Sequence, residues 1–391
     1  MEMVVAVAES EDAPELVDIT QAHIDGCLFH AQALLDFALY LVAGGARVVV
    51  PTTLNVSSLD LLHPELYRGD DRKAAGARQL MDAYVEMGCT PTWTCAPYQL
   101  ASRPSLGQQV AWGESNAIVF ANSVLGARTG RYGDFMDMCC ALTGRAPYVG
   151  LHTDLGRIAT IQFDVNVTDQ VLDGEIMYPI LGHLIGRLAG QAVPVITGLG
   201  TKTTEDRLKA LGAAAAAAGT VGMFHVVGVT PEAETLEQAL GDRLPEHVVR
   251  VGLGDLAAAR AELDIGTGPL GAVSVGTPHL SLAELSQIAN LAAGRSSKIP
   301  FYVNTSRDVL EQASATGVDQ ELVSFGATIV TDTCTYVTPI MEPVHGDVMT
   351  NSGKWAYYAP ANLGVNVAFG SLADCVESAV SGRRVATGEW S

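Results

Sequence analysis

Basic residues are scarce in this chain. Lys and Arg total 23 against 43 Asp and Glu, a formal net charge of −20. Nucleic-acid binders neutralise phosphates with clustered cations, so the balance argues against that class. It argues equally against docking on an anionic membrane. A few cations gathered in a cleft can still bind a small anion. Charged residues of both signs are also few, at 17%, while hydrophobic ones make up 48%, a composition that argues against disorder and allows a large core. There is no CxxC pair, so neither a zinc ribbon nor a thioredoxin site is supported. No full P-loop occurs. The glycine-rich Gly198 to Lys202 lacks the spacing of one, so a nucleotide site is not expected. The opening MEMVVAVAESEDAPE has neither a basic n-region nor a long apolar run, unlike a secretory leader. The seven cysteines are an odd number in a large chain, and we expect reduced thiols in a cytoplasmic protein.

What is present is a strand–helix alternation. Apolar runs at Arg47 to Pro51, Thr90 to Thr94, Val193 to Ile196, Val221 to Val229, Val248 to Val251, Ala272 to Val275, Pro300 to Asn304 and Thr328 to Thr331 read as strands. Helical patterns run over Leu28 to Val42, Asp71 to Met87 and Thr203 to Ala218, and Thr230-Pro231 opens another. Ser281-x-x-Glu284 and Ser371-x-x-Asp374 have the form of capping boxes. The stretch Leu211 to Thr230 is apolar enough to suggest a membrane span. It reads instead as the end of an alanine-rich helix, a stop at Gly219 and a buried strand. The alternation implies an α/β protein with mostly parallel sheets covered by helices. Three α/β regions are expected, over 1–152, 153–268 and 269–391.

In open α/β sheets ligands bind beyond the carboxyl ends of strands. Six such ends carry polar groups: Thr52 to Asn55, Cys95 to Tyr98, Gly276 to His279, Thr305 to Arg307, Thr333-Cys334 and Ser352 to Lys354. Thiol, imidazole, amide, hydroxyl and cation together suggest one cleft with a metal or cluster and an anionic small molecule. Each has a plainer reading. A cysteine after a strand is commonly a small core residue, Ser306 fits a helix N-cap, Arg307 fits a surface ion pair, and His279 can simply bond a carbonyl. Cys139, Cys140 and Cys375 fall on helical apolar patterns and Cys89 at a helix end, so these four read as core.

The motifs HIDGC (23–27), PTTLN (51–55), CAPY (95–98), WGESNAIVFANSVLGART (112–129), ALTGR (141–145), GTPHLS (276–281), TSR (305–307), TDTC (331–334) and TNSGKWAYYAPANLGV (350–365) run in order over nearly the whole chain. Together they resemble the large subunit, or catalytic domain, of aconitase X, a branch of the aconitase superfamily of hydro-lyases. Members include cis-3-hydroxy-L-proline dehydratase and an archaeal phosphomevalonate dehydratase. The resemblance implies an aconitase-like fold of several α/β/α domains around a cleft. It also implies an iron or iron–sulfur site, [2Fe–2S], [4Fe–4S] or mononuclear, with Cys95, Cys334 and Cys27 as ligands. Some members carry Cys where this chain has Thr277, which cannot act as a thiolate. The resemblance further implies a separate small swivel-domain subunit, since this chain is taken up by the large part. Relatives usually begin with a further stretch ahead of Met1, so a truncated start is one expectation.

The activity expected is dehydration of a β-hydroxy acid or hydroxy amino acid. Arg128, Arg307 and Lys354 are the candidates to hold its carboxylate, and Asn55, Asn122, Ser123 and Ser306 to orient it. His279, or a Ser of the small subunit, is the candidate base. The alternatives are a phosphomevalonate dehydratase and a noncatalytic binding protein that kept the fold.

Overall fold

The structure is a computed structural model describing residues 1–200 and 203–386; Thr201 and Lys202, the end of the glycine-rich GLGTK, lie outside the described residues. The alternation folds into three parallel sheets. The first has Ala22–Ile24 between Thr52–Leu54 and Ala111–Trp112. Next to it Leu16–Asp18 and Arg145–Pro147 form an antiparallel pair that was not expected from the strand–helix alternation. The second sheet runs His225–Val226, Pro194–Thr197, Ile161–Val165, His247–Val251. The third runs Ala327–Val330, Phe301–Thr305, Leu270–Leu280, Asp347–Thr350, Val367–Phe369. Every residue of Phe301–Thr305 and of Asp347–Thr350 is buried, as expected for strands covered on both faces.

Local chemistry sets the helix ends. Asp70 caps Asp71–Glu86 by accepting from the Arg72 and Lys73 N–H groups. Ser281 and Ser371 form the two reciprocal capping boxes with Glu284 and Asp374. The alanine-rich helix Glu205–Ala218 is buried along most of its length and packs on Met177–Ala189. The approach is close: a Cβ at Gly182 would lie 2.1 Å from Leu211 O, and one at Gly186 2.5 Å from Ala215 O. The same helix touches Ser115–Phe120 and Gly353–Leu363, so it supports both walls of the site described below.

Several expected elements are shorter or missing. The first long helix begins at Gln32. Arg47 to Pro51 is not a strand, and pairing starts at Thr52. Thr90 to Thr94 makes one bridge, Thr90 to Thr53, because the Thr92 hydroxyl occupies both the N–H and the C=O of Leu54. Only His225–Val226 of the Val221 to Val229 run is strand. Ser123 Oγ takes the Phe224 N–H, and Thr230 Oγ1 turns back onto Val226. With its hydroxyl so used, Thr230 opens no helix; that helix starts after Thr235.

Candidate metal centre

Two loops meet the carboxyl end of the strand Leu270–Leu280. The strand end carries Thr277 to His279, and the loops carry Thr94-Cys95 and, after Ala327–Val330, Thr331 to Cys334. Cys95, His279 and Cys334 are all buried, and their ligand atoms lie within 4.8 Å of one another. The His279 N–H donates to Cys95 Sγ at 3.3 Å. Thr333 O, 3.1 Å from His279 Nε2, can only accept, so Nε2 carries the ring proton. Thr94 Oγ1 already accepts from Ala96 N and lies 3.1 Å from His279 Nδ1, which keeps the lone pair. Burial opposes a thiolate at Cys95, but the hydrogen bond from Cys334 and the nearby His279 and Lys354 bring it down to about 6. The same bond, with burial, pushes the Cys334 thiol well up.

The loop bearing Cys334 is braced from outside. Asp60 accepts from Thr331 N at 2.7 Å and from its hydroxyl at 2.8 Å. Asp332 takes the Arg307 guanidinium in a fork, 2.5 and 2.6 Å, and also the Leu61 N–H. Ser57 N donates to Asp332 O at 2.7 Å.

Lys354 stands in the first turn of Gly353–Leu363, capped by Ser352. It is buried and ion-paired with buried Glu114. Burial works against its charge, and Glu114, Tyr336 and Cys95 more than compensate, raising it well above its usual range. Glu114 also holds Asn116, whose Nδ2 donates to Cys95 O at 2.9 Å and whose Oδ1 takes the Tyr98 hydroxyl at 2.7 Å. A polar chain thus joins the ammonium to the cysteine loop. Nearby, Asp25 N donates to Asp137 Oδ2 at 2.7 Å and Asn55 Nδ2 to Asp25 Oδ1 at 2.5 Å. Burial, then the charges of Glu114, Asp134 and Asp137, raise Asp25 to about 8. Burial raises Asp137 to about 7 in spite of its backbone donors.

Cys95, Cys334, His279 and Lys354 therefore come together, and Asn55 reaches the edge of the group through Asp25. The other expected residues do not join them. The Cys27 thiol donates to Ile24 O at 3.3 Å and lies in the first core with Tyr84 and Cys89, where burial raises it well above its usual range. It is outside the Cys95–His279–Cys334 group. Asn122 spends its amide on Thr129, Gly222 and Arg157. Ser123 binds Phe224 N. Arg128 pairs with Asp154 and with His152 O. Ser306 is the N-cap of Arg307–Thr316, and Arg307 belongs to Asp332. His279 is fully buried, with Nε2 bonded to Thr333 O and Nδ1 beside Thr94 Oγ1. Glu114, Asp25 and Thr94 were missed. The first two stood inside the quoted WGES and HIDGC motifs, passed over because an anionic substrate directs attention to cations.

The donor set suits a soft metal ion or cluster: two sulfurs and an imidazole at one buried point. Thr277 Oγ1, two residues before His279, is buried without a hydrogen-bond partner, leaving one polar oxygen beside the donors uncommitted.

Residues 1–155, 159–261 and 270–381 match the family models for the first, second and third domains of aconitase X. Two cis-3-hydroxy-L-proline dehydratases are similar over 98% of the chain: that of Pseudomonas aeruginosa at 45% identity and that of Hypocrea jecorina at 42%. The chain spans 67% and 65% of their respective lengths. The phosphomevalonate dehydratase large subunit of Thermococcus kodakarensis is 35% identical over 92% of the chain and 89% of that protein. The solved holo-form of Thermococcus kodakaraensis aconitase X superposes with a TM-score of 0.87 at 33% identity, over 97% of this chain and 94% of that one.

Proposed function

Since the chain belongs to the aconitase X family, we propose that it is the catalytic large part of a hydro-lyase that removes water from cis-3-hydroxy-L-proline. The observation that carries this reading is the buried Cys95–His279–Cys334 group beside the Lys354–Glu114 pair. The choice of substrate rests on the higher identity to the two proline-derivative dehydratases. About a third of those proteins' length lies outside the match, and other relatives are named large subunits. A small subunit is therefore part of the proposal, as the source of the remaining cleft wall and of the base. Seven unpaired thiols, all buried, suit a reducing cytoplasm. No described helix is long and apolar enough to cross a membrane.

Cys95, Cys334 and His279 would hold iron, alone or in a cluster. Bound there, the metal supplies a Lewis acid for the substrate hydroxyl. The chain's own residues do the rest. Lys354 places a fixed positive charge where negative charge builds as the proton next to the carboxylate is lost. Glu114 holds that ammonium in position. Asp25 keeps a proton at neutral pH, and since Asn55 Nδ2 occupies Oδ1, the proton sits on Oδ2. That makes Asp25 an acid able to protonate a departing hydroxide.

The test is a substrate screen with the iron-loaded chain and its small subunit. Loss of water from cis-3-hydroxy-L-proline, with none from 5-phosphomevalonate, is expected. The reverse preference would contradict the substrate assignment.

A further inference from the structure

The second sheet has an open edge. Its order puts His247–Val251 outermost, paired on one side with Ile161–Val165. Among the described residues the other edge strands of the three parallel sheets are buried or half-buried throughout: Thr52–Leu54, Ala111–Trp112, His225–Val226, Ala327–Val330 and Val367–Phe369. His247–Val251 instead exposes His247, Val248 and Arg250. Val248 is 54% exposed, and Leu244 and Leu253, just outside the two ends of the strand, are 91% and 55% exposed. An edge strand with bare apolar side chains is a template for pairing with another chain.

The pattern of this edge is self-complementary. Asn166 N donates to Val251 O on the Ile161–Val165 side, and alternate residues face alternate sides, so Val248 and Arg250 direct their N–H and C=O groups outward. Val249 and Val251 pack on the core on one face, so Glu246, Val248 and Arg250 stand on the other. Laid antiparallel on a copy of itself with Val248 at the twofold axis, the strand sets Val248 opposite Val248. Glu246 of each copy then lies opposite Arg250 of the other. Both charged residues are exposed, and neither side chain has a hydrogen bond or ion pair among the described residues. The same arrangement brings Leu244 of one copy toward Leu253 of the other. Pro245 has no N–H to donate, which ends the ladder there. Apolar contacts at the axis and at both ends, with opposite charges between them, all follow from one register.

We propose that two copies of this chain form a twofold dimer by antiparallel pairing of His247–Val251. A second copy is favoured over an unrelated strand because the charges and the leucines match under the same twofold. So short a ladder is small against the roughly 800 Å² per partner of a stable interface, so the flanking leucines belong to the contact and dissociation falls in the micromolar range. Cys95, His279 and Cys334 lie on the first and third regions and take no part in it.

The test is sedimentation velocity on the full chain over about 1–100 µM, with circular dichroism to verify the fold of each variant. Wild type should pass from one copy to two as concentration rises. Val248→Lys sets two ammonium groups against each other at the axis, and should raise the dimer Kd at least about tenfold. Glu246→Arg sets like charges opposite Arg250 and should weaken the dimer too. Adding Arg250→Glu to Glu246→Arg exchanges the two charges and should restore it. If Val248→Lys does not fold, Glu246→Arg and the exchanged pair carry the comparison, since both side chains are exposed. A wild-type chain that stays single at the highest concentration would overturn the proposal. So would a dimer with the same Kd in wild type, Val248→Lys and Glu246→Arg, which would have to form through another face. A dimer weakened by Glu246→Arg and not restored by the exchange would overturn the antiparallel register.

Discussion

The account is most exposed at single residues. Cys95→Ser and Cys334→Ser should each abolish iron retention, because each removes one of two sulfurs at a single point. Cys27→Ser, Cys139→Ser and Cys375→Ser should retain it, since those thiols are packed in cores. Iron per chain after anaerobic reconstitution reads this directly, and equal iron in all five variants would refute the ligand set. A second residue-scale prediction concerns pH. His152 is buried, its Nε2 accepting from Gly130 N and its Nδ1 2.6 Å from Gln109 Oε1. Burial, then the charges of Arg157 and Arg128, lowers it from 6.5 to about 4. Below pH 6.5 the unfolded chain takes up a proton that the folded chain refuses. Stability is therefore complete above 6.5 and is lost as pH falls toward 4, by about 1.4 kcal/mol per pH unit. His152→Gln should remove that contribution, and identical pH slopes in the two proteins would show it absent. Residue roles were only partly legible in the sequence. Cys95 and Cys334 stood out because each follows a predicted strand. Ser123, Asn122 and Arg128 looked equally polar, but apart from Thr129 beside Asn122 their side-chain partners lie 24 to 101 positions away and leave no local trace.

At the scale of elements, the Arg307–Asp332 fork ties the start of Arg307–Thr316 to the metal loop. Arg307→Lys breaks the two-point geometry and leaves the fully buried Asp332 carboxylate with a poorer partner. The expected result is a loss of about 1–3 kcal/mol in unfolding free energy and weaker iron retention, with KM nearly unchanged. A large rise in KM with stability intact would restore Arg307 as a substrate ligand. Helix packing gives another prediction. Gly182→Ala sets a methyl against Leu211 O, so Met177–Ala189 and Glu205–Ala218 must separate. The cost is about 1–3 kcal/mol, read by thermal unfolding. Helices were easier to read than strands. Caps at Ser281 and Ser371 and the alanine run signalled their own boundaries. Thr90 to Thr94 and Val221 to Val229 had the apolar composition of strands, but side chains distant in sequence satisfy their backbone groups. A propensity argument does not see such bonds.

At the scale of the whole molecule there are three parallel sheets among the described residues, and the buried donor group joins Cys95 of the first region to His279 and Cys334 of the third. The parallel α/β architecture followed from alternation alone, whereas the convergence of Cys95 with Cys334, 239 positions further on, is a property of the fold. The central claim is that this chain dehydrates cis-3-hydroxy-L-proline through a metal held by Cys95, His279 and Cys334. Its most direct test is one turnover measurement: water loss from cis-3-hydroxy-L-proline, followed by mass spectrometry, by the chain assembled with its small subunit. The assay compares iron-loaded, iron-stripped and Cys334→Ser protein. Turnover by the loaded enzyme, and none by the other two, is the predicted result; equal turnover in all three, or none in the loaded enzyme, would contradict the account.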